Sequence, residues 1–165
     1  ASSASSQVVR VRGGGRLDLV NGVIDADGDK TCIRIDELLS DTAPTFNFIK
    51  ADCGTTRPFR GPSAGEDATI ATAFNTASGA GATATGNGNE ATFSVGFTSG
   101  FINDATLQAV ASTFDPSVKS SFFDTTTYVG AVEDASDTWY LNWTCNTSRL
   151  AFGSSNGSCT ALPVY

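Results

Sequence analysis

The chain contains no histidine and no methionine among its 165 residues. Lacking histidine, it lacks the commonest general base and the commonest protein ligand for a transition metal. Charged residues are scarce, at 16%, and leave a formal net charge of -7. An acidic chain repels phosphate backbones, so no nucleic-acid partner is expected. No apolar run approaches the roughly 20 residues of a membrane-spanning helix, and no membrane span is expected. The absence of Met extends to position 1. This predicts a mature chain whose initiator left with a signal peptide, and Ala1-Ser2-Ser3 fits the small-residue side of such a cut.

What is present points to a packed extracellular domain. Hydrophobic residues make up 40% of the chain, with 11 Phe, enough for one domain with a core. The four cysteines, an even number, fit an oxidising compartment, so a secreted or cell-surface location is expected. Local pairing joins Cys32 to Cys53 and Cys145 to Cys159, with two other connectivities open. Each such loop contributes ~3 kcal/mol in the chain-entropy model. A four-cysteine metal site is the rival reading, but it lacks any C-x2-C spacing.

Charge is unevenly distributed. Eight of the ten basic residues precede residue 61 and are balanced there by eight acidic ones. The remainder holds nine acids against Lys119 and Arg149, which accounts for the whole net charge. That polarity suits head-to-tail contact between copies, or simply a solvated acidic face.

Short alternating segments separated by Gly, Pro and Asn predict a mainly β fold. Gln7 to Arg12, Leu17 to Val20, Thr45 to Ile49, Ala91 to Phe97, Tyr128 to Val132 and Trp139 to Trp143 read as strands. Asn21-Gly22 reads as a tight turn. Residues 54–67 read as a loop, Thr69 to Phe74 as a further alternating run, and Asp36 to Leu39 as one helical turn. The clear helix is expected near 105–114, capped by Asp104 and ended by Asp115-Pro116. The expected architecture is an antiparallel β-sandwich with one or two short helices; a short β-solenoid ranks second because no fixed-period repeat is visible. Residues 1–15 form an amino-terminal strand and Gly hinge, and residues 16–165 a β-rich globular domain.

The chemistry available is limited. Gly61-Pro62-Ser63-Ala64-Gly65 matches the G-x-S-x-G nucleophile elbow in letters, but no histidine exists to activate Ser63. No motif selects Lys30, Lys50 or Lys119 as a partner for it. Glu66, Asp67, Glu90, Glu133 and Asp134 are the carboxylates a glycosidase-type pair would draw on, and their spacing singles out no two. An enzyme is therefore not expected. Asp25, Asp27 and Asp29 are the best metal candidate, since carboxylates at i, i+2 and i+4 can converge on calcium. Position six of that loop is Lys30 rather than Gly, and the competing reading is an Asp27-Gly28 turn with bystander acids. No other cofactor is implied. Asn142, Asn146 and Asn156 head formal glycosylation sequons.

The carboxy-terminal part carries Phe122-Phe123, Tyr128-Val-Gly130-Ala131, Asp137-Thr-Trp139 and Asn142-Trp143-Thr144. This F-F…Y-x-G-A…D-x-W…W-T pattern resembles the ending of a group of secreted proteins from Gram-negative bacteria. The resemblance covers about residues 115–162, including the Cys145 to Cys159 segment. It implies secretion, with larger relatives placing this ending after β-helical regions. In packing terms Phe122, Phe123, Tyr128, Trp139 and Trp143 are expected in the core, and Gly130 at a close approach or an unusual backbone angle.

Two functions follow as expectations. The first is a self-assembling extracellular subunit of a pilus-like filament or surface layer, with copies of itself as partners. In it Val8, Val9 and Val11 form a donor strand and Gly13, Gly14 and Gly15 its hinge. The second is an adhesive module that binds glycans or calcium, with Trp139, Tyr140 and Trp143 as the platform. Because Trp139 and Trp143 share the alternation of Leu141, that platform is expected to be thin, with Tyr140 and Asn142 outward.

Overall fold

The computed structural model describes residues 7–26, 28–37, 44–76 and 88–161. In its first part the chain winds instead of folding back. Strands β1 (Gln7–Val11), β2 (Asp18–Val20) and β3 (Val23–Asp25) make one coil. Strands β4 (Thr31–Ile35), β5 (Thr45–Asn47) and β6 (Lys50–Asp52) lie on it in parallel, β4 on β1, β5 on β2 and β6 on β3. Strand β7 (Phe59–Arg60) starts a third layer on β4. Residues 90–93 add a third layer beside β6, where the amides of Ala51 and Cys53 donate to the carbonyls of Glu90 and Ala91.

The register explains the core. Val9, Ile33 and Phe59 form one column, Leu19 and Phe46 a second, and Ile24 and Ala51 a third. Each column stacks apolar groups one strand spacing apart, so successive coils bury one another's inner faces. The corner between the second and third strands of each coil is turned by a left-handed residue: Asn21 (φ 48°) in the first coil and Phe48 (φ 54°) in the second. Helix α1 (Ala64–Phe74) then lies against β5 and β7. Ser63 caps it, accepting from the Glu66 amide. Its buried Ile70 and Phe74 close the cluster, with the Phe74 ring 5.4 Å from Phe46 and 4.9 Å from Phe59. The Cys32–Cys53 disulfide ties the beginning of the second coil to its end.

The second part is built differently. Strands β8 (Phe97–Thr98) and β9 (Ile102–Asn103) form a small antiparallel pair, followed by the one-turn helix α2 (Ala105–Gln108). Beyond it come turns and two 3-10 segments, Pro116–Val118 and Cys159–Ala161. Buried here are Leu107, Phe114, Val129, Val132 and Tyr140, together with the polar Asn103, Ser112 and Asn156. The Cys145–Cys159 disulfide closes its last loop.

Several expectations are corrected. The antiparallel β-sandwich is not the architecture: β1–β4–β7, β2–β5 and β3–β6 all pair in parallel, and among the described strands only the two-stranded β8–β9 pair is antiparallel. Alternation reports which face of a strand is buried and carries no information on the direction of its neighbour. Asn21-Gly22 is a coil corner and not a hairpin; the Gly22 amide donates to Phe48 O, one coil away. Thr69 to Phe74 belongs to helix α1, whereas the expected helix over 105–114 stops at Gln108. Tyr128 makes a single bridge to Ala111 and is followed by bends, Trp139 to Trp143 is a turn, and of Ala91 to Phe97 only Phe97 enters a strand. Leu38 and Leu39, most of the Thr76 to Asn89 stretch and Asp27 lie outside the described residues.

Candidate functional site

The residues with chemistry are dispersed. Ser63 follows a strand and opens a helix, but its backbone is extended (φ -142°) and its hydroxyl is a helix cap. The strained geometry that presents a nucleophile is absent at this residue. Among the carboxylates, Asp67 is bridged to Arg57 (2.8 Å) and accepts the Gly61 amide (2.7 Å); the guanidinium beside it holds its pKa below the usual carboxylate range. Glu90 pairs with Lys50 at 3.1 Å. Asp134 is held low by the hydroxyl and amide of Ser136 in its own turn. Lys119 is tied to Asp18 at 2.7 Å.

The aspartates proposed for calcium occupy different settings. Asp25 ends β3 opposite Asp52, while Asp29 accepts the Thr56 hydroxyl and amide, bonds that depress its pKa. Among the described residues no three acidic or cysteine side chains are grouped to hold a metal, and Asp27 lies outside them.

The amino-terminal strand sits at home. Val9 and Val11 pack against the coil core, while Val8 and Arg10 face out. Strand β1 is the edge of its sheet, with β4 on one side. Gly13 and Gly14 adopt φ of 67° and 71°, the left-handed region that Gly enters without strain, and Gly15 completes the link to β2.

The aromatic residues of the second part reverse their expected placement. Phe122 is 87% exposed, Phe123 48%, Trp139 58% and Trp143 85%, whereas Tyr140 is only 8% exposed. The correction has a plain cause: residues 139–143 form a turn, so strand parity does not apply to them. Tyr140 packs edge-on against Phe101 (5.0 Å) and beside Phe152 (6.1 Å). Burial pushes the pKa of the half-buried Tyr128 hydroxyl up, with Asp137 adding to the effect.

Trp139 is exposed but fixed. Its indole N–H donates to Ala131 O at 2.7 Å, and its ring stands edge-on to Tyr140. Ala131 also lines a pocket of about 460 Å³ with Gly22, Val23, Phe97, Phe101 and Gly130. The polar side chain at this pocket is Asn21, and its groups are in use: Nδ2 donates to Phe114 O and Thr126 Oγ1, and Oδ1 accepts from Ser112. Gly130 (φ 87°) is required by close approach, since a Cβ there would lie 2.6 Å from Asn103 Oδ1. The pocket thus offers an apolar floor with a clamped indole at its edge. Sequence reasoning missed it because Val23, Phe97 and Ala131, which line it, are far apart in the chain.

Of the sequon residues, Asn146 and Asn156 bond to neighbouring backbone through their side chains, and only Asn142 is exposed. No described helix is long and apolar enough to cross a membrane. Comparison of the chain with protein-family models, curated proteins and solved structures returns no match.

Proposed function

We propose that this protein is a self-assembling subunit of an extracellular surface structure. The observation that carries the reading is the set of four large exposed aromatics, Phe122, Phe123, Trp139 and Trp143. Exposed aromatic groups of this size mark contact surfaces, because water contact is costly and assembly removes it. The two disulfides suit an oxidising environment. The edge position of β1 adds a second means of joining. A strand paired on one side and linked through Gly13 to Gly15 can make the same parallel ladder with a neighbour's β4.

Sedimentation velocity and negative-stain imaging of the full chain test assembly. Concentration-dependent oligomers that weaken in Phe122→Ala and Trp143→Ala are expected; a monomer at all concentrations sinks the reading. Strand exchange is tested separately. Gln7 and Thr31 are register partners, so Gln7→Cys with Thr31→Cys locks β1 onto its own sheet. Assembly that persists with the lock closed rules exchange out.

A glycan-binding reading is favoured by Trp139 alone. A clamped indole beside an apolar pocket suits the C–H face of a sugar ring, and its hydroxyls would remain in water. Glycan-array signal lost in Trp139→Ala is the expected result.

A further inference from the structure

Two apolar features of the surface match. The first is a knob. Phe122 and Phe123 stand edge-on to each other, with ring centroids 5.6 Å apart, and are 87% and 48% exposed. The loop that carries them is tied at both ends by one side chain: Asn21 Nδ2 donates to Phe114 O and to Thr126 Oγ1. Near its tip the amides of Phe122 and Phe123 donate back to Ser120. The pair is therefore held out in water before any contact is made, and docking it costs little further ordering.

The second feature is the pocket beside Trp139, which is built to take carbon. Val23, Phe97, Phe101 and Ala131 line it together with glycine backbone, and both Nδ2 and Oδ1 of Asn21 are already bonded. A cavity of about 150 Å³ holds one benzene ring. This pocket, of about 460 Å³, has room for two rings. The next cavity, of about 330 Å³, has Arg57 and Asp67 in its wall, and an apolar guest would strip that ion pair of water.

We propose that the Phe122–Phe123 pair of one copy enters this pocket in a second copy, against Val23, Phe97 and Phe101. The inference rests on the self-assembly reading and names the two faces that meet. A copy of the same chain is the occupant because the chain displays the matching group and leaves it unused: the pair stands in water and does not line its own pocket. Trp139 cannot be the guest, since its bond to Ala131 O fixes it at the pocket edge. Phe122 and Phe123 carry no polar side-chain atom, so neither needs a partner inside. Docking takes apolar surface of both copies out of water. A knob on one patch and a pocket on another make a contact that can pass from copy to copy.

Two variants break the contact from opposite sides. Phe122→Ser with Phe123→Ser removes the knob and leaves the pocket. Ala131→Trp, at an exposed position, fills the pocket and leaves the knob. In sedimentation velocity each variant alone should associate at least about tenfold more weakly than the unaltered chain, the loss of one buried Phe. Mixed one to one, the two should recover a complex, because the knob of one still meets the pocket of the other. Unchanged association in either variant, or no complex in the mixture, overturns the proposal and leaves self-assembly standing. An unaltered chain that is monomeric at all concentrations removes the assembly reading itself and this contact with it. Val23→Phe fills the same space and replaces Ala131→Trp should that variant fail to fold.

Discussion

Residues 7–76 and 96–161 reach order by different means. The first region stacks parallel strands over columns of Ile, Phe, Leu and Val, and the main hydrophobic cluster lies there together with Ala91. The second has two two-residue strands and one helical turn, and it fixes its turns with Asn, Asp, Ser and Thr side chains. Asn156 accepts the Asn142 amide and donates to Thr144 and Phe152; Asn146 donates to Gly153 and Asn156 carbonyls and accepts the Phe152 amide. Backbone ladders serve the first region where side-chain bonds serve the second. Ladders need a repeated core, whereas side-chain bonds need only the right polar group at each turn.

The sharpest way to break this contrast is to empty a column. Phe46→Ala should cost about 3–5 kcal/mol, because Phe46 is fully buried and its neighbours Leu19 and Phe74 cannot close the gap. Urea unfolding measures it. A loss below about 1 kcal/mol would mean that the coil is not held by its core.

Next in size is the carboxy-terminal staple. Cys145→Ser with Cys159→Ser should cost ~3 kcal/mol. The loss should be confined, by hydrogen exchange, to residues 140–161. If amides of β4 exchange equally fast, the two regions unfold as one. Asn156→Ala should then cost about 1–3 kcal/mol, since Asn156 is buried and its bonds to Asn142, Thr144 and Phe152 are lost. In the first region, exposed Thr72→Ala should change little.

The two regions also differ in how much of them is legible in the sequence. In the first, Val9, Val11 and Phe46 are recognisable as strand residues from the sequence alone. Their stacking is hidden because the coil length is irregular: Gln7 lies opposite Thr31, 24 positions on, while Asp18 lies opposite Thr45, 27 positions on. A repeat of variable length leaves no fixed period to find. Helix α1 is hidden too, since Thr69 to Phe74 contains β-formers and its apolar residues Ile70 and Phe74 are also two strand repeats apart. In the second region Asp104 is legible as a cap because the signal is local. Trp139, Tyr140 and Trp143 are misread because a turn has no period. The candidate surface depends on Trp139 and Trp143 being displayed while Tyr140 is buried, so tertiary contacts were needed to see it.

Acid offers a subtler separation. Asp36, bonded first to Arg12, and Asp67, bonded first to Arg57, have pKa values depressed on folding; so do Asp115 and Asp134, held by Ser117 and Ser136. A carboxylate whose folded pKa is depressed contributes stability above its unfolded pKa of about 3.9, and loses it as pH falls through the folded value. The melting temperature should therefore be level above about pH 5 and fall below about pH 4. Salt should flatten the share of Asp36 and Asp67, which rests on ion pairs, more than that of Asp115 and Asp134, which rests on short-range hydrogen bonds. An equal salt response at acid pH by hydrogen exchange in both regions would remove the distinction.

The smallest effect on stability should come from the most conspicuous residue. A core tryptophan cut to alanine costs about 3–5 kcal/mol. Trp143 is 85% exposed, so Trp143→Ala should change unfolding free energy by less than about 0.5 kcal/mol. Tyr140→Ala, three residues earlier, removes a ring packed on Phe101 and Phe152 and should cost several times more. The pair isolates what the second region does with its aromatics: Tyr140 holds the turn, and Trp143 is displayed by it. A large stability loss in Trp143→Ala would return that ring to the core and remove it from the proposed contact surface. A negligible loss accompanied by weaker self-association would leave the ring only one role, contact with another copy.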